Sequence, residues 1–85
     1  MKVIMKQIEM IALFSSEGLT PIKFKLMDGG EQVTIKIDRV IDRSLDKWAG
    51  NHMLVFICES SIDNISKRYE LKYELGTCKW YLARM

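Results

Sequence analysis

The chain contains one histidine and two cysteines, and this shortage excludes several kinds of chemistry. A structural metal site needs three or four converging ligands, whereas Cys58 and Cys78 stand far apart without the C-x-x-C spacing. His52 is expected to be an exposed residue that opens a strand. A cysteine–histidine nucleophile would also need an accessible thiol with a lowered pKa. We therefore predict no metal, no cofactor and no catalytic residue, and the chain is not expected to be an enzyme.

Long apolar runs are absent as well. No segment approaches the length of a membrane span, and Lys6 and Glu9 interrupt the apolar start that a secretory signal would need. With 48% hydrophobic and 28% charged residues, the composition is that of an ordinary globular protein and not of a disordered one. Two cysteines without a signal predict reduced thiols in the cytoplasm and no membrane partner. A chain of 85 residues is expected to form one domain over residues 1–85.

The main feature that is present is alternation of apolar and polar residues in short runs separated by turn residues. This period is typical of strands with one buried face. Three hairpin registers place apolar side chains opposite one another, with turns at residues 29–30, 63–64 and 76–77. The predicted pairs are Leu26–Val33, Phe24–Ile35, Ile22–Ile37, Cys58–Tyr69, Phe56–Leu71, Leu54–Tyr73, Leu71–Leu82 and Tyr73–Trp80. The sequence therefore predicts an all-β fold, as a small barrel or a strongly curled antiparallel meander of about six strands.

Two segments are harder to interpret from the pattern. Residues 5–14 fit neither period cleanly, and we predict a strand while a helix stays open as the alternative. Apolar residues recur near helical spacing at positions 40, 41, 45 and 48, with Asp42 as a cap and Gly50 as a stop, so one short helical turn is expected near residues 42–49. Cys58 and Cys78 are both expected to face the core, about 9 to 10 Å apart across two strand spacings, which predicts two free, buried thiols.

Four motifs follow one another along most of the chain. They are P-x-x-F at residues 21–24, the alternating "VTIKID", Y-x-L-x-Y at residues 69–73 and W-x-L at residues 80–82. This order resembles that of short, uncharacterised bacterial proteins built as six-stranded SH3-like barrels. The resemblance implies the barrel fold, and it implies no activity and no functional residue.

Charged residues offer one candidate surface for nucleic acid. The predicted register places Lys23 opposite Lys36 on the outer face, a like-charge pair that costs stability unless a partner compensates for it. Lys25 extends this face, and Arg39 joins it if the strand bulges nearby. Small barrels often bind single-stranded nucleic acid through such faces. The aspartates at positions 38, 42 and 46 alternate with basic residues, which indicates a solvated loop and not a calcium site.

The strand "HMLVFICES" carries apolar side chains on both faces. Its inner set fits the core, whereas Met53, Val55 and Ile57 point outward beside Tyr81. The aliphatic stems of facing charged residues, the N-terminal segment or the turn at Trp48 are the possible covers within the chain. Without such a cover this stripe is a partner or dimer surface. The sequence therefore predicts a non-enzymatic protein-interaction module, with nucleic-acid binding through the lysine face as the alternative.

Overall fold

The computed structural model describes residues 1–85, apart from the side chains of Asp28 and Trp48. Seven antiparallel strands form one sheet in the order β3-β2-β1-β7-β6-β5-β4. The strands are β1 (Val3–Ser15), β2 (Gly18–Asp28), β3 (Glu31–Lys36), β4 (Arg39–Asp46), β5 (Met53–Ile62), β6 (Ile65–Glu74) and β7 (Lys79–Arg84). The all-β prediction is confirmed, with seven strands instead of six.

The registers of the three predicted hairpins are confirmed. Leu26 faces Val33, Phe56 faces Leu71 and Tyr73 faces Trp80, as the apolar pattern requires. At the tip of the β5–β6 hairpin Asp63 and Asn64 have positive φ angles of 51° and 63°, which suit a tight two-residue turn. Burying one face of each strand fixes these pairings, because a slip by one residue would expose the whole apolar set.

The segment predicted as a helical turn is mainly a strand. Residues 39–46 form β4 and pair with β5, so the prediction for residues 42–49 is wrong except at its end, where Trp48–Gly50 forms a single 3₁₀ turn. The register shifts between Val40 and Asp42, which marks a β-bulge at Ile41. The bulge breaks the alternation of period two, and the apolar residues on either side of it then fall at a spacing that imitates a helix.

Residues 5–14 lie within β1, which confirms the strand prediction and excludes the helix. The first part of β1 pairs with β7 and the second part pairs with β2. Register shifts occur on both sides of this exchange, and Met5 at the first of them has a positive φ angle of 47°. These irregularities explain why the apolar residues of the segment follow no single period. β1 is therefore the strand that joins the two halves of the sheet.

The inner faces of the two halves share one apolar core. Phe24 of β2 meets Tyr69 of β6 edge to face, with 5.6 Å between ring centroids. Tyr69 and Ser60 are hydrogen-bonded at 2.6 Å, and the Ser60 hydroxyl donates to the Lys36 carbonyl at 2.7 Å, so the buried polar atoms are satisfied. The buried core cluster consists of Ile8, Leu19, Phe24, Ile35, Ile37, Phe56, Cys58, Tyr69, Leu71, Tyr73, Trp80 and Leu82.

The side chain of Arg43 links the two halves on another side of the core. Its guanidinium donates to the Leu19 carbonyl and to the Thr20 hydroxyl of β2, and it lies 5.5 Å from the centre of the Phe56 ring. A second link is the bond from Ser60 to the Lys36 carbonyl, which joins β5 to the edge strand β3. These bonds satisfy main-chain groups near strand edges, which would otherwise be open to another chain.

The two cysteines are free, as predicted, but only Cys58 is buried. The prediction that Cys78 faces the core is wrong. The β6–β7 ladder ends at Glu74 and Lys79, and the Cys78 N–H donates to the Glu74 carbonyl at 2.8 Å within a wider turn. Cys78 has a φ angle of 60° there and is exposed. Its side chain hydrogen-bonds the Tyr73 hydroxyl, and this bond raises the pKa of Tyr73.

Candidate functional site

The outer face of β5 carries Met53, Val55 and Ile57, as the alternation predicts, and all three are half-buried. Each lies between charged or polar residues of the two neighbouring strands. On β6 the facing residues are Glu74, Lys72 and Glu70, and on β4 they are Asp46, Ser44 and Asp42.

Part of the cover over this stripe comes from charged side chains. Lys72 of β6 forms an ion pair with Asp46 of β4, with 3.9 Å between Nζ and Oδ2. Because β5 lies between these two strands, the aliphatic stem of Lys72 crosses the region of Val55. A charged stem and the N-terminal residues Val3 and Met5 therefore both lie near Val55. The predicted cover by the Trp48 side chain lies outside the described residues.

An ion pair between a buried carboxylate and an exposed guanidinium lies beside the stripe. Glu70 is only 6% exposed although it stands on the outer face of β6. Arg84 of β7 binds it through two bonds, from Nε to Oε2 at 3.2 Å and from Nη2 to Oε1 at 2.9 Å. Hydrogen bonding to the carboxylate raises the pKa of Arg84 above its usual value. This two-point geometry fixes both side chains at the floor of the outer face.

A shallow depression of about 490 Å³, which we call the outer groove, lies beside this ion pair. Val55, Lys72, Glu70 and Ala83 lie at its floor. The walls are formed on one side by β4 and on the other by the bulged start of β1. The wall residues are Val3, Met5, Ser44, Leu45, Asp46 and Arg84.

Of the four residues predicted as a partner surface, only Val55 lines the outer groove. Met53 and Ile57 flank Val55 along β5, and Tyr81 is a half-buried neighbour on β7 opposite Lys72. The alternation of apolar and polar residues within one strand does not indicate the wall residues Val3 and Met5. Their positions on the wall depend on the bulge in β1.

The lysine face is present on the outer side of β2 and β3. Lys23 lies directly opposite Lys36, and Lys25 lies opposite Thr34. All three lysines are exposed, and none forms an ion pair with any side chain that the structure describes. Arg39 is placed differently, because it stands on β4 and binds Glu59 at 3.3 Å.

Exposed apolar residues border the lysine face. On β1 Ile11 lies opposite Lys23, and Leu13 follows two positions later. Both are more than half exposed, at 53% and 54%. A depression of about 270 Å³ lies among Ile11, Lys23, Lys25 and their neighbours. The face therefore combines positive charge with apolar surface.

A larger cleft, which the sequence pattern did not predict, lies at the end of the molecule that carries the chain termini. Here a cleft of about 880 Å³, the terminal cleft, opens between β1, β3 and the β5–β6 hairpin. Its existence depends on strands that are distant in sequence, so the alternation within one hairpin carries no signal for it. The apolar lining residues are Ile4, Leu26, Met27, Val33, Ile35, Ile62, Leu82 and Met85.

Two further features are absent among the described residues. No group of three or more histidine, cysteine, aspartate or glutamate side chains is arranged to hold a metal ion. Within the same part of the chain, no helix has the length and apolar character needed to cross a membrane. His52 is exposed and directly precedes β5.

Comparison with known proteins adds no relative to these observations. No family model, no curated protein sequence and no solved structure matches the chain.

Proposed function

We propose that this protein is a non-enzymatic interaction module whose outer groove binds an extended apolar segment of a protein partner. The observation that carries the proposal is the apolar wall of the groove. Val3, Met5 and Leu45 are 69%, 46% and 46% exposed, and they stand around the half-buried Val55. Exposed apolar residues that surround a depression are typical of binding surfaces.

The charges in the outer groove favour an apolar occupant over a charged one. Glu70 is bound by Arg84, and Asp46 is paired with Lys72. These charges balance one another in pairs, so the groove does not offer an excess of either sign to a ligand. Apolar burial is then the available source of affinity, at about 1.5 to 3 kcal/mol for each large side chain that becomes fully buried.

The test uses the exposed wall, where a charge does not disturb the core. Peptides are selected on the wild-type protein from a random display library, and their binding is measured on Leu45→Glu and on Ile65→Glu. Ile65 is the control because it is 59% exposed at the β5–β6 hairpin and does not line the groove. We expect Leu45→Glu to weaken apolar peptides about tenfold or more, since it removes one buried side chain, and Ile65→Glu to leave them unchanged.

Nuclear magnetic resonance shift mapping locates the bound peptide. Shifts concentrated at Val55, Ala83 and Val3 support the groove, whereas shifts elsewhere contradict it. Sedimentation velocity over a range of protein concentrations tests whether the partner is a second copy. A dimer that Leu45→Glu dissociates would identify the occupant as this same chain.

A second candidate function is binding of single-stranded nucleic acid at the lysine face. The retained like-charge pair between Lys23 and Lys36 supports it, as does the exposed apolar border. We expect weak oligonucleotide binding whose logarithmic dependence on salt has a slope of about −2 for three phosphate contacts. Replacing Lys23, Lys25 and Lys36 by Glu should abolish it, as measured by fluorescence anisotropy. Binding that survives this triple substitution or shows no salt dependence would contradict the candidate.

For the fold itself we propose an SH3-like barrel, as the sequence resemblance implies. The bonds from Arg43 to Leu19 and Thr20 support this proposal because they join β4 to β2. The bond from the Ser60 hydroxyl to the Lys36 carbonyl supports it in the same way, because it joins β5 to β3. Amide hydrogen exchange tests it: protection of main-chain groups along the β4 edge is expected for a closed barrel, and rapid exchange there contradicts it.

A further inference from the structure

We propose that the terminal cleft binds a free fatty carboxylate, with the acyl chain in the cleft and the carboxylate between Lys6 and Lys67. This ligand class differs from the protein segment assigned to the outer groove. The two regions have none of their lining residues in common, so each can be tested without the other.

The floor of the terminal cleft is continuous with the core. Ile35 and Leu82 are 8% and 2% exposed, and both line the cleft and belong to the core cluster. Leu26, Val33, Ile62 and Met85 form half-buried walls around them. Apolar surface that is continuous with the buried core favours an apolar occupant. The volume of about 880 Å³ is within the range of small-molecule sites.

The main chain holds this end of the cleft in place. The N–H of Lys2 donates to the Met85 carbonyl at 2.8 Å, and the N–H of Met85 donates to the Lys2 carbonyl at 3.0 Å. The Met85 wall is therefore paired to the start of the chain. On the opposite side, Ser61 donates its N–H to Asp38 at 2.8 Å beside the β5–β6 hairpin.

Lysines on two different strands give the cleft its positive character. Lys6 pairs with Leu82 and Lys67 pairs with Ser60, so both alternate to the inner side of the sheet. The Lys6 ammonium donates to the Met27 carbonyl, which anchors it at the cleft and leaves its other N–H groups for a ligand. Asp63 is the acidic residue of the lining, and the side chain of Lys36 belongs to the lysine face on the other side of β3. The excess of positive charge selects an anionic head group.

Apolar walls and cationic residues together fit an amphiphile that has one acyl chain and one negative charge. A purely apolar ligand would leave the lysines unused, and a small anion would leave the apolar walls exposed. A fatty carboxylate satisfies both parts of the site. Because the acyl chain would lie against Ile35 and Leu82, which are buried in the core, the ligand is a free acid and not a bilayer surface.

Calorimetric titration with dodecanoate, below its micellar concentration and at low salt, tests the proposal. We expect saturable binding to one site and about a fifteenfold loss of affinity for decanoate, since it is two methylenes shorter and each methylene that leaves the apolar site costs about fourfold. Dodecyltrimethylammonium, which has the same chain and the opposite charge, should bind much more weakly. Equal affinity for the two head groups, or no dependence on chain length, would overturn the proposal.

Variants locate the site on the folded protein. The double substitution Lys6→Gln and Lys67→Gln should weaken dodecanoate about fivefold or more, because two partly screened charge contacts are lost. Lys23→Gln and Lys25→Gln together form the matched control, since they remove the same charge from the lysine face, and should leave the affinity unchanged apart from screening. Equal effects of the two double variants would overturn the site.

Sedimentation with vesicles of phosphatidylcholine and phosphatidylglycerol separates a free ligand from a membrane. Wild-type protein that sediments with these vesicles but does not bind dodecanoate would overturn the proposal in favour of a membrane surface. Dodecanoate binding without vesicle binding supports it. These outcomes do not depend on the outer groove, so failure here leaves the proposed protein-binding function untouched.

Discussion

Replacing Leu71 by Ala is expected to lower the free energy of unfolding by about 3 to 4 kcal/mol. Leu71 is 0% exposed, and it lies between Phe56 of β5 and Leu82 of β7 at the centre of the sheet. Truncation there removes transfer free energy and leaves a cavity, because paired strands on both sides cannot collapse into it. For a domain of this size the loss corresponds to a fall in melting temperature of about 15 °C or more.

Leu13→Ala is the matched control for this substitution. Leu13 undergoes the same chemical change but is 54% exposed on β1, so its effect should stay within about 0.5 kcal/mol. Urea denaturation followed by circular dichroism measures both variants, with an unchanged m-value showing that the same surface unfolds. Similar losses for the two variants would contradict the core described here.

The two thiols are expected to differ in reactivity by about a thousandfold or more. Cys58 is fully buried, and desolvation raises its pKa to about 12, an effect that the nearby Arg43 only partly offsets. At about pH 8 only about one Cys58 side chain in ten thousand is then a thiolate, the form that reacts with disulfide reagents. Cys78 is exposed in the turn after β6.

A chromogenic aromatic disulfide should therefore titrate about one thiol per native chain quickly and the second only after denaturation. Cys78→Ser is expected to remove the fast reaction, and Cys58→Ala is expected to retain it. If both thiols of the wild-type protein react at the same fast rate, the burial of Cys58 is wrong. If neither reacts without denaturant, the exposure of Cys78 is wrong.

The positions of the two cysteines illustrate one limit of prediction from the sequence alone. Alternation placed Cys58 in the core correctly because it stands within a regular ladder, opposite Tyr69. The same counting placed Cys78 in the core incorrectly, since it assumed a two-residue turn at positions 76–77. The chain instead forms a wider turn in which Cys78 has a positive φ angle. Turn length depends on local main-chain hydrogen bonds, and the pattern of apolar residues predicts these bonds only weakly.

β-Bulges set a second limit. The apolar residues from Val40 to Leu45 imitate helical spacing because the bulge inserts one residue into β4. The same effect concealed the role of Val3 and Met5, whose position on the wall of the outer groove follows from the register shift in β1. A bulge is stabilised by its partner strand, which a single segment of sequence does not reveal.

The sequence by itself determined the all-β class, the registers of three hairpins and the two-faced character of β5. These properties depend only on strands that are neighbours in the sequence, because burial of one face allows a single register between them. Only the tertiary structure decided that Lys72 reaches Asp46 across β5, that Arg39 binds Glu59, and that a cleft opens between β1, β3 and the β5–β6 hairpin. The physical reason is distance along the chain: local periodicity records which face is buried, whereas packing of the whole sheet decides which remote side chains meet.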